Sequence, residues 1–316
     1  MKHIGRLGNS ISVRIEPDED GYIGRECPDP ECESYFKVTP GTGLPGDPPC
    51  HCPYCGHTNE HKSFFTKAQI EYVKSVAMQK ISGAFLKDLK TLEFDYKPKG
   101  PFGIGLSMKV EGRPSPIRYY REERLETEVV CEECTLRYMI YGVFGFCPDC
   151  GVHNSLQIFN KNLKLVEKQV ALALDQKQTL AERLVENALE DCVSSLDGFG
   201  REVFQIHASK SLDTDRARNL SFQNISRARQ QILGLFEIDI AGAIDAAQWS
   251  LVVQCFQKRH LLAHKMGVVD QAYIKATKDS SAIEGRKVQI KPSEVANLVE
   301  VLKKLATYLV SALGNK

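Results

Sequence analysis

The chain has 316 residues, of which 42% are hydrophobic and 26% charged, with a formal net charge of +1. This is the composition of a folded globular protein long enough for two domains, and its overall charge gives no global signal for nucleic acid or a membrane surface, without excluding a local basic patch. The charge is mildly asymmetric: residues 1–160 carry 19 Lys and Arg against 22 Asp and Glu, and residues 161–316 carry 22 against 18.

The first seven residues have no apolar stretch of the signal-peptide kind, and no apolar run approaches the ~20 residues of a membrane span. An intracellular, cytoplasmic location with no membrane contact is expected. That decides how the eleven cysteines are read. In a reducing compartment, cysteines paired at short spacing are metal ligands rather than disulfides.

Residues 1–25 read as short strands and turns. Ile11-Ser12-Val13-Arg14-Ile15 alternates apolar and polar as a half-buried strand does, and Asp18-Glu19-Asp20-Gly21 is a turn. Cys27 and Cys32 follow, then the strand-like Tyr35-Phe36-Lys37-Val38, a Pro/Gly loop over 40–49, and Cys52-Pro53-Tyr54-Cys55-Gly56. Two cysteine pairs flanking a strand, the second ending in CPxCG, resemble a zinc ribbon. A CxxC turn brings two thiolates to one tetrahedral ion at ~2.3 Å, and the glycine lets backbone N–H groups turn toward sulfur. The first pair is wider than usual and needs a larger loop. Cys50 and His51 are alternative ligands; knuckle geometry favours Cys27, Cys32, Cys52 and Cys55.

Thr66-Lys67-Ala68-Gln69 reads as a capping box, with Phe65 and Ile70 as its hydrophobic staple. The stripe Ile70, Val73, Val76, Ala77, Ile81, Phe85 and Leu89 predicts a helix whose apolar face is packing surface. Pro98, Gly100, Pro101 and Gly103 break the chain, and 104–130 reads as strands. The second cysteine pattern is cleaner: Cys131 and Cys134, a strand over 137–141, then Cys147 and Cys150 followed by Gly151. It predicts a second zinc site, and the two modules look like a duplicated ribbon. With four cysteines each, neither site keeps an open position for water, so both zinc ions are expected to be structural. Tyr35 and Tyr141 are candidate exposed contacts for nucleic acid or protein.

Beyond residue 160 the cysteine pairs stop and helical periodicity takes over. Leu163, Val166, Val170, Leu174, Leu180, Leu184, Ala188, Cys192 and Leu196 mark one or two long helices, bent near 175–179 and interrupted at Gly198 and Gly200. Ser209 to Asn219 reads as a loop, and Phe222, Ile225, Ile232 and Phe236 mark another helix. Asp245-Ala246-Ala247-Gln248 is a capping box opening a helix that ends at Lys265-Met266-Gly267. A polar hairpin-like insert follows, and a last helix begins near Pro292. Cys192 and Cys255 lie on apolar stripes and are read as core thiols. Short links between these helices predict an all-α bundle.

The helix after Asp245 carries Lys258-Arg259-His260-Leu261-Leu262-Ala263-His264, followed by Gly267-Val268-Val269-Asp270 and Tyr273. Arginine offers a permanent charge and a fork of donors for phosphate, and histidine exchanges a proton near neutral pH. His260 and His264 could also hold a metal, but a metalloprotease needs Glu where Leu261 stands. In its R-x4-6-H motif, with a polar residue after the arginine, and in its all-α frame, residues 160–316 resemble the HEPN family of helical nucleases and nucleotide-binding domains. The resemblance implies a homodimer that cleaves RNA without metal, with Arg259, His264 and His260 as catalytic residues. It also implies a bacterial antiviral defence or stress-response setting, toxin-like, with a trigger or partner protein sensed by the ribbons. The alternative is a non-catalytic zinc-ribbon and helical sensor of nucleotides or partners. Asp197 and Arg201 are candidate neighbours of the site.

The expected fold class is therefore α+β. A zinc-ribbon-like module over 1–64, a connecting helix over 65–100 and a second module over 101–158 precede an all-α HEPN-like bundle over 159–316.

Overall fold

In the computed structural model, residues 2–97 and 106–314 are described. The expected breaks at Pro98, Gly100, Pro101 and Gly103, and the start of the expected strand at Ile104 and Gly105, lie outside them. The chain is α+β and divides into two compact units, Met1–Val152 and His153–Lys316. Among the described residues no helix is long and apolar enough to cross a membrane.

The first unit runs α1 (Lys2–Gly5), β1 (Ile23–Glu26), β2 (Tyr35–Val38), β3 (Cys50–His51), β4 (Thr58–Asn59), α2 (Lys67–Lys90), β5 (Phe94–Tyr96), β6 (Leu106–Met108), β7 (Thr127–Val130) and β8 (Arg137–Ile140). The two cysteine modules do not form separate sheets. β1, β2, β8 and β7 make one antiparallel sheet in that order, with Lys37 opposite Met139 where the modules join. Phe36, Phe64, Tyr138 and Ile140 fill its core, and the Phe36 and Phe64 rings meet edge to face at 5.9 Å. Six of the thirteen buried residues in this cluster are cysteines. So small an apolar core needs a further source of cohesion.

Three expectations in this unit are corrected. The first is strands over 104–130: among the described residues of that stretch only Leu106–Met108 and Thr127–Val130 are strands, and the Pro-rich chain between them is irregular. Residues 11–15 alternate half-buried Ile11, Val13 and Ile15 with exposed Ser12 and Arg14, as the pattern predicts, yet form no strand. The capping box of α2 is present, with Gln69 N–H donating to Thr66 Oγ1 at 3.1 Å. Its packing face, however, is not the apolar stripe. Ile70, Ile81 and Phe85 stay about 40% exposed, while Gln69, Ser75, Val76, Ala84 and Asp88 are buried. What covers α2 is the short α1 and irregular chain at 115–118, which dock through hydrogen bonds. Arg118 N–H donates to Ser75 Oγ, Ser115 N–H to Ser82 Oγ, and the N–H groups of His3 and Ile4 to Asp88.

The second unit is all helical: α3 (Ser155–Leu174), α4 (Gln178–Ile206), α5 (Thr214–Arg218), α6 (Ile225–Phe236), α7 (Ala246–Lys265), α8 (Gln271–Thr277) and α9 (Pro292–Gly314). Its core of 37 buried residues is drawn from α3, α4, α6, α7 and α9 and the segments linking them, and includes Cys192 and Cys255 as fully buried thiols. The expected bend at 175–179 is a true break between α3 and α4. The expected interruption at Gly198 and Gly200 is absent, since α4 runs through both. Gly200 is needed for contact instead: a Cβ there would lie 2.2 Å from the Phe222 ring. The expected loop over 209–219 contains the short α5, capped by Asp213.

The two glycines of α4 thus separate in a test. A Cβ at Gly198 would meet nothing within 4 Å. Gly198→Ala is expected to stabilise the second unit by up to about 1 kcal/mol through helix propensity. Gly200→Ala forces Phe222 from its seat and is expected to destabilise by about 1–3 kcal/mol. Urea unfolding of the two variants checks both the signs and the order.

Candidate metal centres and candidate active site

Four knuckles deliver the eight cysteine sulfurs. In each, a backbone N–H just after the second cysteine bonds back into the loop: Glu33 to Asp29 O, Gly56 to Cys52 O, Thr135 to Cys131 O and Gly151 to Cys147 O. The residue after each second cysteine takes the left-handed conformation, with φ of 44°, 72°, 65° and 70° in turn. Glycine supplies it twice. Glu33 and Thr135 adopt it despite their side chains. The wide Cys27 to Cys32 spacing is absorbed by a turn at Asp29, whose carbonyl receives the N–H of both Cys32 and Glu33.

The result is two sets of four sulfurs, Cys27, Cys32, Cys52 and Cys55, and Cys131, Cys134, Cys147 and Cys150, each within 4.8 Å of one another. Cys27 lies 3.6 Å from Cys55 and Cys32 3.7 Å from Cys52; Cys131 lies 3.6 Å from Cys150 and Cys134 3.4 Å from Cys147. A tetrahedral ion bonded to sulfur at ~2.3 Å requires edges of ~3.8 Å. A disulfide requires ~2.05 Å. Both sets therefore fit a metal ion. Cys50 and His51 are not in the first set. Cys50 is fully buried in β3, where burial pushes its thiol up to about 12. The His51 ring pairs with Thr58 Oγ1 at 2.8 Å and packs on Gly151.

Of the two aromatics expected at the surface, Tyr35 is half-buried and donates to Glu122 at 2.5 Å. Tyr141 is 46% exposed and donates to Glu123 at 2.9 Å.

In the second unit, α7 starts with the Asp245 and Gln248 capping box and stops at Met266, which is left-handed with φ 54°. The segment after it closes back on the helix. Val268 bridges Lys287, Asp270 caps α8 through the Tyr273 N–H, and Leu261, Val269, Tyr273 and Val288 form a small core. Tyr273 is buried, and its hydroxyl donates to Asp279 at 3.0 Å, which also accepts from Gln254 at 2.8 Å. Lys258 is buried and anchors α7 to the start of α9, donating to Glu294 at 2.7 Å and to the Gln289 carbonyl at 3.0 Å.

The exposed face of α7 carries His260 and His264, and Arg259 lies ~140° around the helix from His264. The two histidines are exposed, with ring centroids 4.8 Å apart and planes tilted by 52°. Burial and the positive neighbours His264, Lys265 and Arg259 hold the His260 imidazole below its usual range, against a weaker pull from Asp270. Lys265 pairs with Asp270 across the helix end. Arg259 is only 16% exposed, with Nε 3.3 Å from Glu190 Oε1 on α4. That is ion-pair distance, yet among the described residues Nε has no hydrogen-bond partner. The guanidinium is neutralised but not locked. No third metal ligand joins His260 and His264 among the described residues.

Glu190 was not legible as a site residue. It stands 69 positions from Arg259 in an ordinary amphipathic helix, and only packing reveals the pair. Asp197 and Arg201, expected as site neighbours, have another task. Asp197 accepts from the Phe222 N–H at 2.5 Å, Ser221 Oγ at 3.1 Å, Gln223 Nε2 at 2.8 Å and Arg201 Nε at 3.0 Å, fixing the loop before α6.

Burial raises the Cys52 thiol to about 12 and the Cys134 thiol to about 11. A metal ion must displace those protons. Loading is expected to release protons at pH 7, and affinity to fall as pH is lowered. Elemental analysis should find two ions per chain, and one after Cys52→Ser. A strong chelator is expected to unfold Met1–Val152 while the helical signal of His153–Lys316 persists, because the latter has its own large core. Full retention of first-unit structure in the metal-free chain would contradict this. No protein-family model, curated protein or solved structure matches the chain.

Proposed function

We propose that the helical unit is a metal-independent endoribonuclease of the HEPN type, working as a homodimer, and that the two cysteine centres hold structural zinc. The observation that carries the catalytic reading is the exposed imidazole pair, 4.8 Å apart, on the helix that also presents Arg259. Zinc suits the cysteine sets because four soft thiolates in a tetrahedron leave no position for water or substrate.

The reaction is an internal transesterification of RNA. His260, held neutral, takes the ribose 2′-OH proton. The 2′-oxygen bonds to phosphorus, the bond from phosphorus to the 5′-oxygen breaks, and His264 protonates that oxygen. The products are a 2′,3′-cyclic phosphate and a 5′-OH. Arg259 neutralises the charge that builds on the phosphoryl oxygens. Residues five apart on a helix are ~140° around its axis, so Arg259 and His264 of one chain do not share a stripe. A second copy across a two-fold axis supplies the complementary half. A bacterial defence or stress-response role follows from the same family likeness, with the zinc unit recognising a trigger or partner.

The Arg259 contact with Glu190 favours a second reading, a non-catalytic domain in which the arginine is a structural ion pair. The two readings separate in one assay. Purified protein is incubated with an RNA oligonucleotide without divalent metal, and fragment ends are identified by mass. On the ribonuclease reading, cyclic-phosphate ends appear. His264→Ala lowers the rate by ~100-fold or more, and Arg259→Ala by ~100- to 1,000-fold. Glu190→Gln raises the rate by releasing the guanidinium. The rate also falls in acid, at a pH below the ordinary imidazole range, where His260 takes up its proton. Cleavage that survives both alanine substitutions, or none by any form, supports the structural ion pair.

A further inference from the structure

The first unit holds a second charged feature that neither the metal centres nor the helical unit uses. α1 and α2, with the chain at Gly112 and Pro114, enclose a groove of about 590 Å³. Arg6, Lys80, Lys87 and Lys90 line it, and among the described residues no carboxylate does. Asp88, between two of these lysines in sequence, is buried and receives the N–H groups of His3 and Ile4. Lys80 reaches only the Ser12 carbonyl, at 3.4 Å. Among the described residues none of the four cations has a carboxylate partner. The first 160 residues are acidic as a whole, so the concentration of unpaired cations here is local and runs against the background.

The arrangement points to an extended ligand. Lys80 and Lys87 are seven residues apart, almost two turns, and Lys90 is three further on. They therefore share one face of α2 over ~15 Å, a span no single phosphate covers. Lysine is a point charge without the fork that selects a carboxylate. Groove-lining Leu7, Leu86 and Pro114 offer apolar contact but no strand edge to pair with a peptide backbone. A row of unpaired lysines reads charge and spacing alone, which is how a phosphodiester backbone is held.

The geometry points to a nucleic-acid backbone track in this groove, a binding site of the first unit in its own right. The choice of nucleic acid among polyanions rests on the ribonuclease reading above. Binding along the track is independent of base sequence and of the 2′-OH, so it is measured apart from cleavage.

The test uses the full-length, metal-loaded protein and a fluorescent single-stranded DNA 12-mer, which the proposed chemistry cannot cut. Anisotropy gives Kd between 50 and 200 mM NaCl. Lys80 and Lys87 are exposed, so Lys80→Ala with Lys87→Ala should leave the thermal midpoint unchanged. The plot of log K against log salt for the double variant is expected to be shallower by about 1.4, which is ~0.7 for each lost phosphate contact on a single strand. Weakening should be the same for unrelated sequences. Equal slopes for variant and parent, or no binding by the parent, would overturn the track. So would displacement of the DNA by polyglutamate as effective, at equal charge, as by unlabelled DNA. RNA cleavage with no groove effect would leave the ribonuclease standing and the track refuted; a groove effect without cleavage would do the reverse.

Discussion

The first unit depends on bringing four sulfurs within 4.8 Å of one another, twice, on a single four-stranded sheet. Thiols gain little from such proximity, and thiolates repel. Only a cation makes the arrangement favourable, and it then does so strongly, because sulfur–metal bonds form in the folded chain alone. The buried cluster around the sheet would otherwise be small, with cysteines making up almost half of it. Two sets of sulfurs suited to coordination stand where a larger domain would draw its cohesion from apolar burial. The left-handed backbone at Glu33 and Thr135 points the same way. Each is a conformation that costs a non-glycine residue about 1–2 kcal/mol. Each lies directly after a cysteine of a set suited to a metal ion, where the knuckle hydrogen bond holds it. The repeat between the modules is thus one of sulfur geometry, with glycine used at only two of four equivalent positions.

The second unit is stabilised differently. Its helices bury a continuous core, and the polar contacts serve to place segments rather than to supply bulk stability. Lys258 is the clearest case. A buried lysine is tolerable only when paired, and its bonds to Glu294 and to the Gln289 carbonyl fix the rotation of α7 about its axis. That rotation decides which way Arg259, His260 and His264 face. The arginine's own neighbour, Glu190, is close without being aligned. Breaking such a contact requires little, since a partly exposed ion pair contributes only about 0–1 kcal/mol. A phosphate oxyanion accepting the guanidinium's parallel N–H groups is the stronger partner.

Much of this was readable in the residues, for identifiable reasons. The cysteine knuckles impose their geometry locally, so spacing alone selected Cys27, Cys32, Cys52 and Cys55 over Cys50 and His51. The capping boxes at Thr66 and Asp245 are also local. The features that escaped are those in which a distant residue decides. Periodicity gave α2 an apolar face, but the chain that packs on it approaches through Ser75, Ser82 and Asp88. Two glycines suggested a break in α4, but Gly200 answers to the ring of Phe222, 22 residues away. The pairing of β2 with β8 joins modules that the sequence presents as separate, since a strand's pattern does not name its neighbour. On α7 the three residues of the motif were visible, while Glu190, which lies 3.3 Å from the Arg259 Nε, was not.

The same reasoning bears on how the two kinds of site differ in exposure to change. A closed sulfur tetrahedron tolerates no substitution of its ligands, because the fold and the ion are one equilibrium. An exposed imidazole pair at a helix end contributes little to stability, so its residues are free to be chosen for chemistry. His260 and His264 sit on a helix whose position is fixed from the opposite face, by Lys258 and the core. The surroundings of His260 can therefore be set by Lys265 and Asp270 without disturbing the bundle. A site on the exposed face of a rigid element that is held from its other side, with its charges compensated weakly, is suited to accepting an anion and exchanging protons with it. That separation of support from chemistry is the physical ground on which the ribonuclease reading is preferred to a structural ion pair.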